Sequence, residues 1–337
     1  MQRSAQMMSL FMPGHEWHET RNKLETFRLF AWVDEELNFS STRLESLGDL
    51  AARALKLDDF RSIWALEGVA NYYATAAPRP LTGMLSSGAG ASLPARTLVS
   101  MHAGMGTAFS RSILSSLSLA PSKAAVRDAV NRFFDQCRAN AREGWYENAI
   151  EPMGLSVRTM HPHLLGAVSD AISEIDPAAR NLFWHGVGRS LYFVPTNFVS
   201  FGGSHARALQ TALQEAPGVE ERRNAVAGLV WAVTLVNLRH PEVLRNLLGE
   251  CENIQMPDAV MNGITSALML WKFMVPGDAA LLPPYFRPLG GPASDSRLWN
   301  ERVMRAAARA FAEDFPALCE TGSVSRLFSF HPASNNI

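Results

Sequence analysis

The chain has 337 residues, with 31 lysines and arginines against 32 aspartates and glutamates, so its formal net charge is −1. Apolar residues make up 47% of the chain and charged residues 19%, which is ordinary for a globular protein. A disordered chain would have fewer apolar residues and a higher net charge. A dedicated nucleic-acid-binding protein would show a basic excess. We therefore expect one large or two small folded domains and no nucleic-acid partner.

Cysteine usage and hydropathy point to the cytoplasm and to no membrane-spanning segment. Cys137, Cys251 and Cys319 are widely spaced and form no zinc-type or CxxC pair, which predicts three reduced thiols. The apolar stretch at 7–12 is too short for a signal-peptide core. The longest apolar run, at 225–236, is shorter than the roughly 18 residues that a membrane span requires. We interpret it as a buried core helix.

Six apolar or aromatic segments each contain a glycine in a similar setting, and their spacing suggests a repeat. Successive glycines are 36, 40, 42, 42 and 35 residues apart, with a mean of 39. This is close to the roughly 40-residue period of two-helix repeats. In four of the six segments a helix-start or breaker residue lies ten positions before the glycine: Asp58, Pro94, Asp176 and Gly218. This spacing predicts that the glycines fall in mid-helix, where a missing side chain would let another helix approach closely. The glycines are Gly68, Gly104, Gly144, Gly186, Gly228 and Gly263.

The segments between the glycines also have a helical period. Ser122 is a typical N-cap residue before the segment 123–137. Apolar residues within 123–137 and 164–175 recur at three- and four-residue intervals, as in an amphipathic helix. No stretch shows sustained alternation of apolar and polar residues. The sequence therefore predicts an all-α protein of about six helical hairpins stacked as a curved α-solenoid. We expect an N-terminal helical cap at 1–57, a repeat domain at 58–330 and a flexible tail at 331–337.

Polar residues beside the repeat glycines are the candidate catalytic groups. Glu67, Glu143 and His185 each directly precede a repeat glycine, and His102 lies two positions before Gly104. If the repeats stack, equivalent positions project onto one face of successive helices. Glutamate and histidine are common acid–base groups, so these residues could line a common groove. The alternative is that they are satisfied polar groups at helix ends and crossings.

Arg189 is the fifth candidate catalytic residue. It lies in a mostly apolar helical segment, and a buried arginine there needs a partner. Glu67 or Glu143 could supply it as a structural pair, or an anionic ligand could bind to it. In the second case Arg189 would act as an anion clamp.

Aromatic residues cluster beside the same glycines. Core packing explains most of them, but an apolar groove for a long ligand would use the same residues. The candidate ligand-binding residues are Tyr72, Trp145, Trp184, Tyr192 and Trp231.

Two histidine-containing motifs invite a metal interpretation, but we predict no metal site. The segment HEWHE at 15–19 spaces its histidines three apart rather than four as in the HExxH zinc motif. His161 and His163 flank Pro162, and no nearby carboxylate completes a ligand set. The sequence also contains no P-loop, GxSxG or dinucleotide-binding glycine motif, and the cofactor is unknown from the sequence.

Several segments around the glycines match the motifs of a known family. The most specific is HGVGRSLYF at 185–193, and the shorter ones are EG at 67–68, HAGMG at 102–106, EGWY at 143–146 and AGL at 227–229. On these segments the chain resembles, from 64 to 248, a family of uncharacterised proteins encoded in enediyne polyketide biosynthetic clusters. The family's segment that is similar to 185–193 reads (H/Q)G(I/V)GR(A/S)L(W/Y)F. The resemblance implies a bacterial natural-product setting with polyene or polyketide-derived material.

Two functional hypotheses follow. In the first, the chain is a cytoplasmic natural-product biosynthesis protein that binds an apolar, polyene-like intermediate and could catalyse a step on it. Its partner is then an apolar small molecule or another biosynthetic protein. In the second, the chain is a non-enzymatic interaction scaffold, since helical-repeat arrays commonly present concave surfaces to other proteins.

Overall fold

The computed structural model describes residues 14–40, 43–278, 280–290 and 293–328. All regular secondary structure in these residues is helical, and they contain no β-strand. The prediction of an all-α protein is therefore confirmed. The expected tail at 331–337 and the first 13 residues of the expected cap lie outside the described residues.

Twelve helices of eight or more residues account for most of the described chain. They are α1 Gly14–Ala31, α2 Leu47–Ala54, α3 Asp59–Ala76, α4 Leu98–Leu114, α5 Lys123–Asn140, α6 Glu151–Met160, α7 Leu165–Ile175, α8 Ala179–Leu191, α9 Ser204–Glu215, α10 Val219–Val236, α11 Pro241–Glu250 and α12 Pro257–Met274.

Shorter helical segments connect and follow them. Single α-helical turns are Val33–Glu36, Gly88–Ala91 and Pro195–Phe198. The 3₁₀ segments are Ala95–Thr97, Tyr146–Ala149, Pro162–Leu164, Cys251–Asn253, Pro283–Phe286 and Val324–Phe328. After α12, α and π segments alternate over Ala293–Trp299, Asn300–Met304, Arg305–Arg309, Ala310–Asp314 and Phe315–Glu320.

Capping residues fix several helix starts. The Asp58 side chain accepts a hydrogen bond from the Arg61 N–H at the start of α3, at 3.1 Å. Ser122 does the same for the Ala125 N–H at the start of α5, at 3.2 Å. Each cap satisfies one of the N–H groups that a helix start leaves without an intrahelical partner. Both starts had been predicted from these residue types.

The longest apolar run forms a core helix, as predicted. In α10, every residue from Asn224 to Val236 is buried, and α4 is buried in the same way from Leu98 to Ser110. A helix that is apolar on all sides must be surrounded by other elements. No helix in the described part of the chain is both long and apolar enough to cross a bilayer.

The described chain divides into two compact units. The first, called the early unit, contains 26–187 and 322–328. The second, called the late unit, contains 14–25 and 188–321 among the described residues. The expected division into a cap at 1–57, a repeat domain at 58–330 and a tail at 331–337 stays a prediction.

Glycine permits close helix packing in the early unit. The backbone of Gly104 on α4 lies so close to the Glu67 carbonyl oxygen on α3 that an added Cβ would overlap it. Gly186 on α8 packs against the Glu151 carbonyl of α6 in the same way, and Gly154 on α6 packs against Phe183. These contacts confirm the predicted reason for mid-helix glycine at Gly104 and Gly186.

The late unit shows the same arrangement. Gly188 on α8 packs against the Ala225 carbonyl of α10, and Gly263 on α12 packs against the Ala227 carbonyl of α10. Helices can approach this closely only where a side chain is absent.

Gly144 contradicts the prediction of a mid-helix glycine. It lies in the turn after α5, with φ of +77° and nothing within 4 Å of an added Cβ. The residue is there because L side chains rarely adopt this left-handed conformation, and not because another helix approaches it.

Candidate functional site

His102 is buried in the early unit with both ring nitrogens engaged by the main chain. Nδ1 lies 2.7 Å from the Leu98 carbonyl oxygen, and Nε2 lies 3.1 Å from the Arg142 nitrogen. Nδ1 therefore donates and Nε2 accepts, which fixes the neutral tautomer. Burial lowers the pKa of His102 to about 4, against a weaker opposing effect of the Leu98 hydrogen bond. This geometry favours a structural histidine over an acid–base group.

The two candidate glutamates have opposite environments. Glu67 is buried on α3, and its own carbonyl receives the close approach of Gly104. Glu143 is exposed in the turn that contains Gly144. The expectation that Glu143 would share a groove with the buried candidates through an equivalent helical position is wrong, because Glu143 is not on a helix.

His185 forms a buried pair with a glutamate that the sequence analysis did not single out. Its Nδ1 lies 3.4 Å from Glu151 Oε1, and both side chains are almost fully buried. The Phe328 ring lies 5.3 Å from the imidazole, centroid to centroid. The predicted catalytic residue His185 is therefore paired with a carboxylate. Only the tertiary contact of α8 with α6 identifies Glu151.

Arg189 contacts an aromatic face in the late unit. Its guanidinium carbon lies 5.3 Å from the centroid of the Trp231 ring, within the range of a cation–π interaction. Arg189 is 5% exposed. Two of the predicted site residues, Arg189 and Trp231, are therefore in contact.

The other candidate ligand-binding aromatics lie in separate surroundings. Trp184 is buried, and its Nε1 donates to Ser169 Oγ at 3.0 Å. Tyr72 is half-buried and packs 4.8 Å from the Phe39 ring, while the half-buried Trp145 stacks 6.2 Å from His102. These contacts are those of core packing, and the use of these residues in ligand binding stays a prediction.

A buried lysine that the sequence analysis missed lies at the centre of a polar cluster in the late unit. Lys23 Nζ lies 2.8 Å from the Asn197 carbonyl oxygen, 2.9 Å from Ser200 Oγ and 3.1 Å from Glu19 Oε1. It also lies 3.9 Å from the centroid of the Tyr192 ring. The Lys23 side chain has no exposed surface.

Glu19 is the charged partner that makes this burial possible. His205 Nε2 lies 2.9 Å from Glu19 Oε1, and the Tyr192 hydroxyl accepts a hydrogen bond from Asn237 Nδ2 at 2.7 Å. Burial by itself raises the pKa of Glu19, but the charges and hydrogen bonds of His205 and Lys23 lower it to about 2. Burial also raises the pKa of Tyr192 well above its usual value. We call Glu19, Lys23, Tyr192, Ser200 and His205 the Lys23 cluster.

The Lys23 cluster contains a serine–lysine contact, but it is not arranged for nucleophilic catalysis. A lysine that activates a serine must be neutral to accept its proton. Burial lowers the pKa of Lys23, and the charge and hydrogen bond of Glu19 oppose this effect. In the observed geometry Lys23 Nζ donates to the Asn197 carbonyl and to Ser200 Oγ, and Glu19 Oε1 lies beside its third donor, so Ser200 accepts a hydrogen bond from Lys23 and does not donate one to it. Ser200 is also buried. Lys23 therefore acts as a cationic anchor.

Lys23 anchors the loop between α8 and α9. It holds the Asn197 carbonyl and the Ser200 side chain, while Thr20 Oγ1 accepts the Ser200 N–H at 3.0 Å. On the other side of α1, Asn22 Nδ2 donates to Asn237 Oδ1 at 3.1 Å. The first half of α1 is thus attached to the late unit through polar side chains.

α1 has the reverse of the usual pattern of a surface helix, because its buried residues are mostly polar and some of its large apolar residues are exposed. The buried residues of α1 before Leu29 are polar: Glu19, Thr20, Asn22, Lys23 and Thr26. The large apolar residues Leu24 and Phe27 are exposed by 47% and 39%. Trp32, directly after α1, is 46% exposed and packs edge-on against Phe27 at 5.2 Å.

Within the part of the chain that the structure describes, no group of three or more His, Cys, Asp or Glu residues is placed to hold a metal ion. His18 of the HEWHE segment stacks on His240, with ring centroids 4.2 Å apart. Parallel rings do not direct their nitrogens at a common point. The sequence had singled out HEWHE for its metal-like composition, whereas the structure uses its Glu19 as the partner of Lys23.

Comparison with known proteins gives no match. No family model, no curated protein and no solved structure is similar to this chain.

Proposed function

We propose that this chain is a non-enzymatic helical interaction protein that binds another protein through the outer side of α1. We define the α1 face as Arg21, Leu24, Phe27, Arg28 and Ala31, all exposed, together with the adjoining Trp32. The observation that carries the proposal is the inverted helix: α1 buries Lys23 and Glu19 while Leu24 and Phe27 face solvent.

The concentration of exposed apolar groups supports this function. Eight large apolar side chains are exposed among the described residues, and three of them fall between positions 24 and 32. Scattered exposed apolar residues need no explanation, but a contiguous group marks an interaction surface. Aromatic residues and arginine are also the side chains that contribute most to binding at protein interfaces.

We also propose that the helices stack as a repeat. The close contacts of three glycines support this proposal, because each glycine meets its neighbouring helix in the same way. An added Cβ on Gly104 would meet the Glu67 carbonyl and the Asn71 nitrogen, and one on Gly263 would meet the Ala227 carbonyl and the Trp231 nitrogen. The two contacts have the same four-residue spacing. For Gly186 the atoms belong to Glu151 and Leu155, again four residues apart.

The carbonyl positions 67, 151 and 227 are separated by 84 and 76 residues, about twice the period expected from the glycines. A repeat of two closely packed glycine-containing helices plus intervening helices fits this spacing. In this form the curved solenoid remains our proposal for the arrangement.

Photo-crosslinking tests the interaction function. A benzophenone amino acid placed at Phe27 should crosslink a protein partner in cells that express the chain at native level. The same group at Leu119, an 88% exposed leucine in a different loop, is the matched control. Adducts from position 27 alone support the α1 face as an interface. Equal adducts from both positions, or none from either, would refute it.

A second candidate function is binding of an apolar natural-product intermediate, as the resemblance implies. The buried His185–Glu151 pair beside Phe328 favours it, because this pair could position or protonate a ligand. Native mass spectrometry of freshly purified protein, compared with the denatured sample, tests this function. A retained mass that His185→Ala abolishes would support it, whereas equal masses would argue against a tightly bound ligand.

A further inference from the structure

We propose that the stacked rings of His18 and His240 form an acid-sensitive contact, which loosens the first half of α1 from the late unit when both rings are protonated. This inference goes beyond the proposed function, because it concerns how α1 is attached and does not depend on any partner. The position of the two rings and the charged groups around them support it.

The histidine pair lies where the connection between α10 and α11 meets α1. Side chains of this connection contact the helix at three points, all within the late unit. They are Asn237 with Asn22 at 3.1 Å, Arg239 with Glu25 at 2.7 Å, and His240 with His18. The first two contacts join a donor to an acceptor or a positive to a negative charge. The third brings together two groups that can both become positive.

The geometry of the pair suits neutral rings and opposes two charged ones. The two imidazoles are nearly parallel, with 14° between their planes and 4.2 Å between their centroids. Neutral rings at this separation gain dispersion contacts. If both rings are protonated, two positive charges lie about 4 Å apart and repel each other. Separating α1 from the connection relieves this repulsion.

The groups around His240 disfavour its charged form on balance. Glu242 Oε1 lies 3.2 Å from His240 Nδ1 and favours protonation. Burial, together with the charges of His18 and Arg239, outweighs Glu242 and lowers the pKa of His240. The Tyr285 hydroxyl contacts the same connection, but burial raises its pKa, so it stays uncharged.

The groups nearest to His18 along α1 add to its charge. His15 and Arg21 lie three residues before and after it, on the adjacent turns of the helix, and both are basic. The Glu19 carboxylate, next to His18 in sequence, faces Lys23. Glu242 can therefore offset one charge of a doubly protonated pair, and the second charge remains.

The pH dependence has a definite sign. A histidine whose pKa is lowered while α1 is attached binds fewer protons in the attached state than in the released state. The attachment is therefore strongest above the ordinary histidine pKa of 6.5 and weakens as the pH falls below that value. Because Arg21 and Leu24 of the α1 face lie on this half of the helix, acid would also change the surface that we propose for partner binding.

Hydrogen exchange of the full chain, measured by mass spectrometry at about pH 7.5 and about pH 5.5, tests the inference, since these values bracket the ordinary histidine pKa. Protection factors correct for the intrinsic pH dependence of exchange. Those of amides 20–25 should fall by about fivefold or more at the lower pH, the factor expected for two unit charges about 4 Å apart even in bulk water. Those of α5, in the early unit, should change much less, because the opening is local.

His18→Phe separates charge from packing. Phenylalanine can stack on His240 but cannot be protonated, so the protection of α1 should become nearly independent of pH over the same range. His163→Phe, at an exposed histidine of the early unit, is the matched control and should retain the wild-type fall.

Glu242→Gln should act in the opposite direction. It removes the carboxylate that favours the charged form of His240, so α1 should lose more protection at the lower pH than in the wild type. Circular dichroism at the higher pH would verify that each variant is folded.

Equal protection of α1 at both pH values in the wild type would overturn the inference. A fall that His18→Phe leaves unchanged would also overturn it, because the responsible group would then lie elsewhere, with His205 beside Glu19 as the first alternative. A uniform fall in every helix would show global destabilisation instead of release of α1, and would refute the inference as well. None of these results bears on the crosslinking test of the α1 face.

Discussion

At the scale of single residues, the buried Lys23 shows why chemical type alone does not assign function. A fully buried ammonium is unfavourable unless it is paired and hydrogen-bonded. Lys23 meets both conditions through Glu19, Ser200 and the Asn197 carbonyl. His102 follows the same logic as a neutral ring between two main-chain partners. In both cases, complete satisfaction of the hydrogen-bonding groups points to stability rather than to reactivity.

The pKa of Glu19 predicts a specific acid sensitivity. The value is about 2 in the folded chain, against 4.5 as its ordinary value, so the folded state favours the carboxylate. Glu19 therefore contributes about 3 kcal/mol of stability above pH 4.5, and this contribution is lost as the pH falls toward 2. Glu19→Gln should lower the free energy of unfolding at pH 7 and flatten its decrease between pH 4.5 and 2.

Urea unfolding followed by circular dichroism, from pH 7 to pH 2, measures this effect. Glu313→Gln, at an exposed position, is the matched substitution and should change the free energy of unfolding at pH 7 by less than about 0.5 kcal/mol. Parallel pH profiles for the wild type and Glu19→Gln would show that Glu19 does not carry this contribution.

At the scale of helices, the glycine contacts determine how closely elements can pack. Along α4, Gly104 faces α3, while Gly106 faces the Ala149 carbonyl just before α6. Two glycines separated by one residue thus let a single helix approach two neighbours. In α8, Gly186 and Gly188 are also separated by one residue, and they pack against α6 and α10 respectively. Each contact replaces a side chain with direct backbone packing.

Alanine substitution at these glycines should be strongly destabilising. In Gly104→Ala, the added methyl would overlap the Glu67 carbonyl oxygen, which cannot move without shifting α3. We expect a loss of about 2–3 kcal/mol of unfolding free energy, in the range of overpacked cores. Gly263→Ala should behave alike, because its methyl would meet the Ala227 carbonyl. Thermal and urea unfolding measure both losses.

Gly249→Ala is the control for helix propensity. Gly249 lies near the end of α11, with nothing within 4 Å of an added Cβ. Alanine there should be neutral or should stabilise by up to about 1 kcal/mol. If all three variants changed stability equally, the close contacts would not be the reason for glycine at positions 104 and 263.

At the scale of the whole molecule, local sequence determined the secondary structure. The all-helical class followed from the 3.6-residue period, and the starts of α3 and α5 followed from Asp58 and Ser122. The burial of α10 followed from its uninterrupted apolar run. These properties depend on residues close together in sequence, so a single chain contains the information needed to predict them.

Only the tertiary structure decided which groups meet. Lys23 and Ser200 are 177 positions apart, and His185 finds Glu151 across a helix contact 34 residues away. In sequence, Glu143 has the same glycine neighbour as Glu67, yet the structure exposes Glu143 and buries Glu67. The burial of a charged side chain depends on the partners and solvent around it, which local periodicity does not encode.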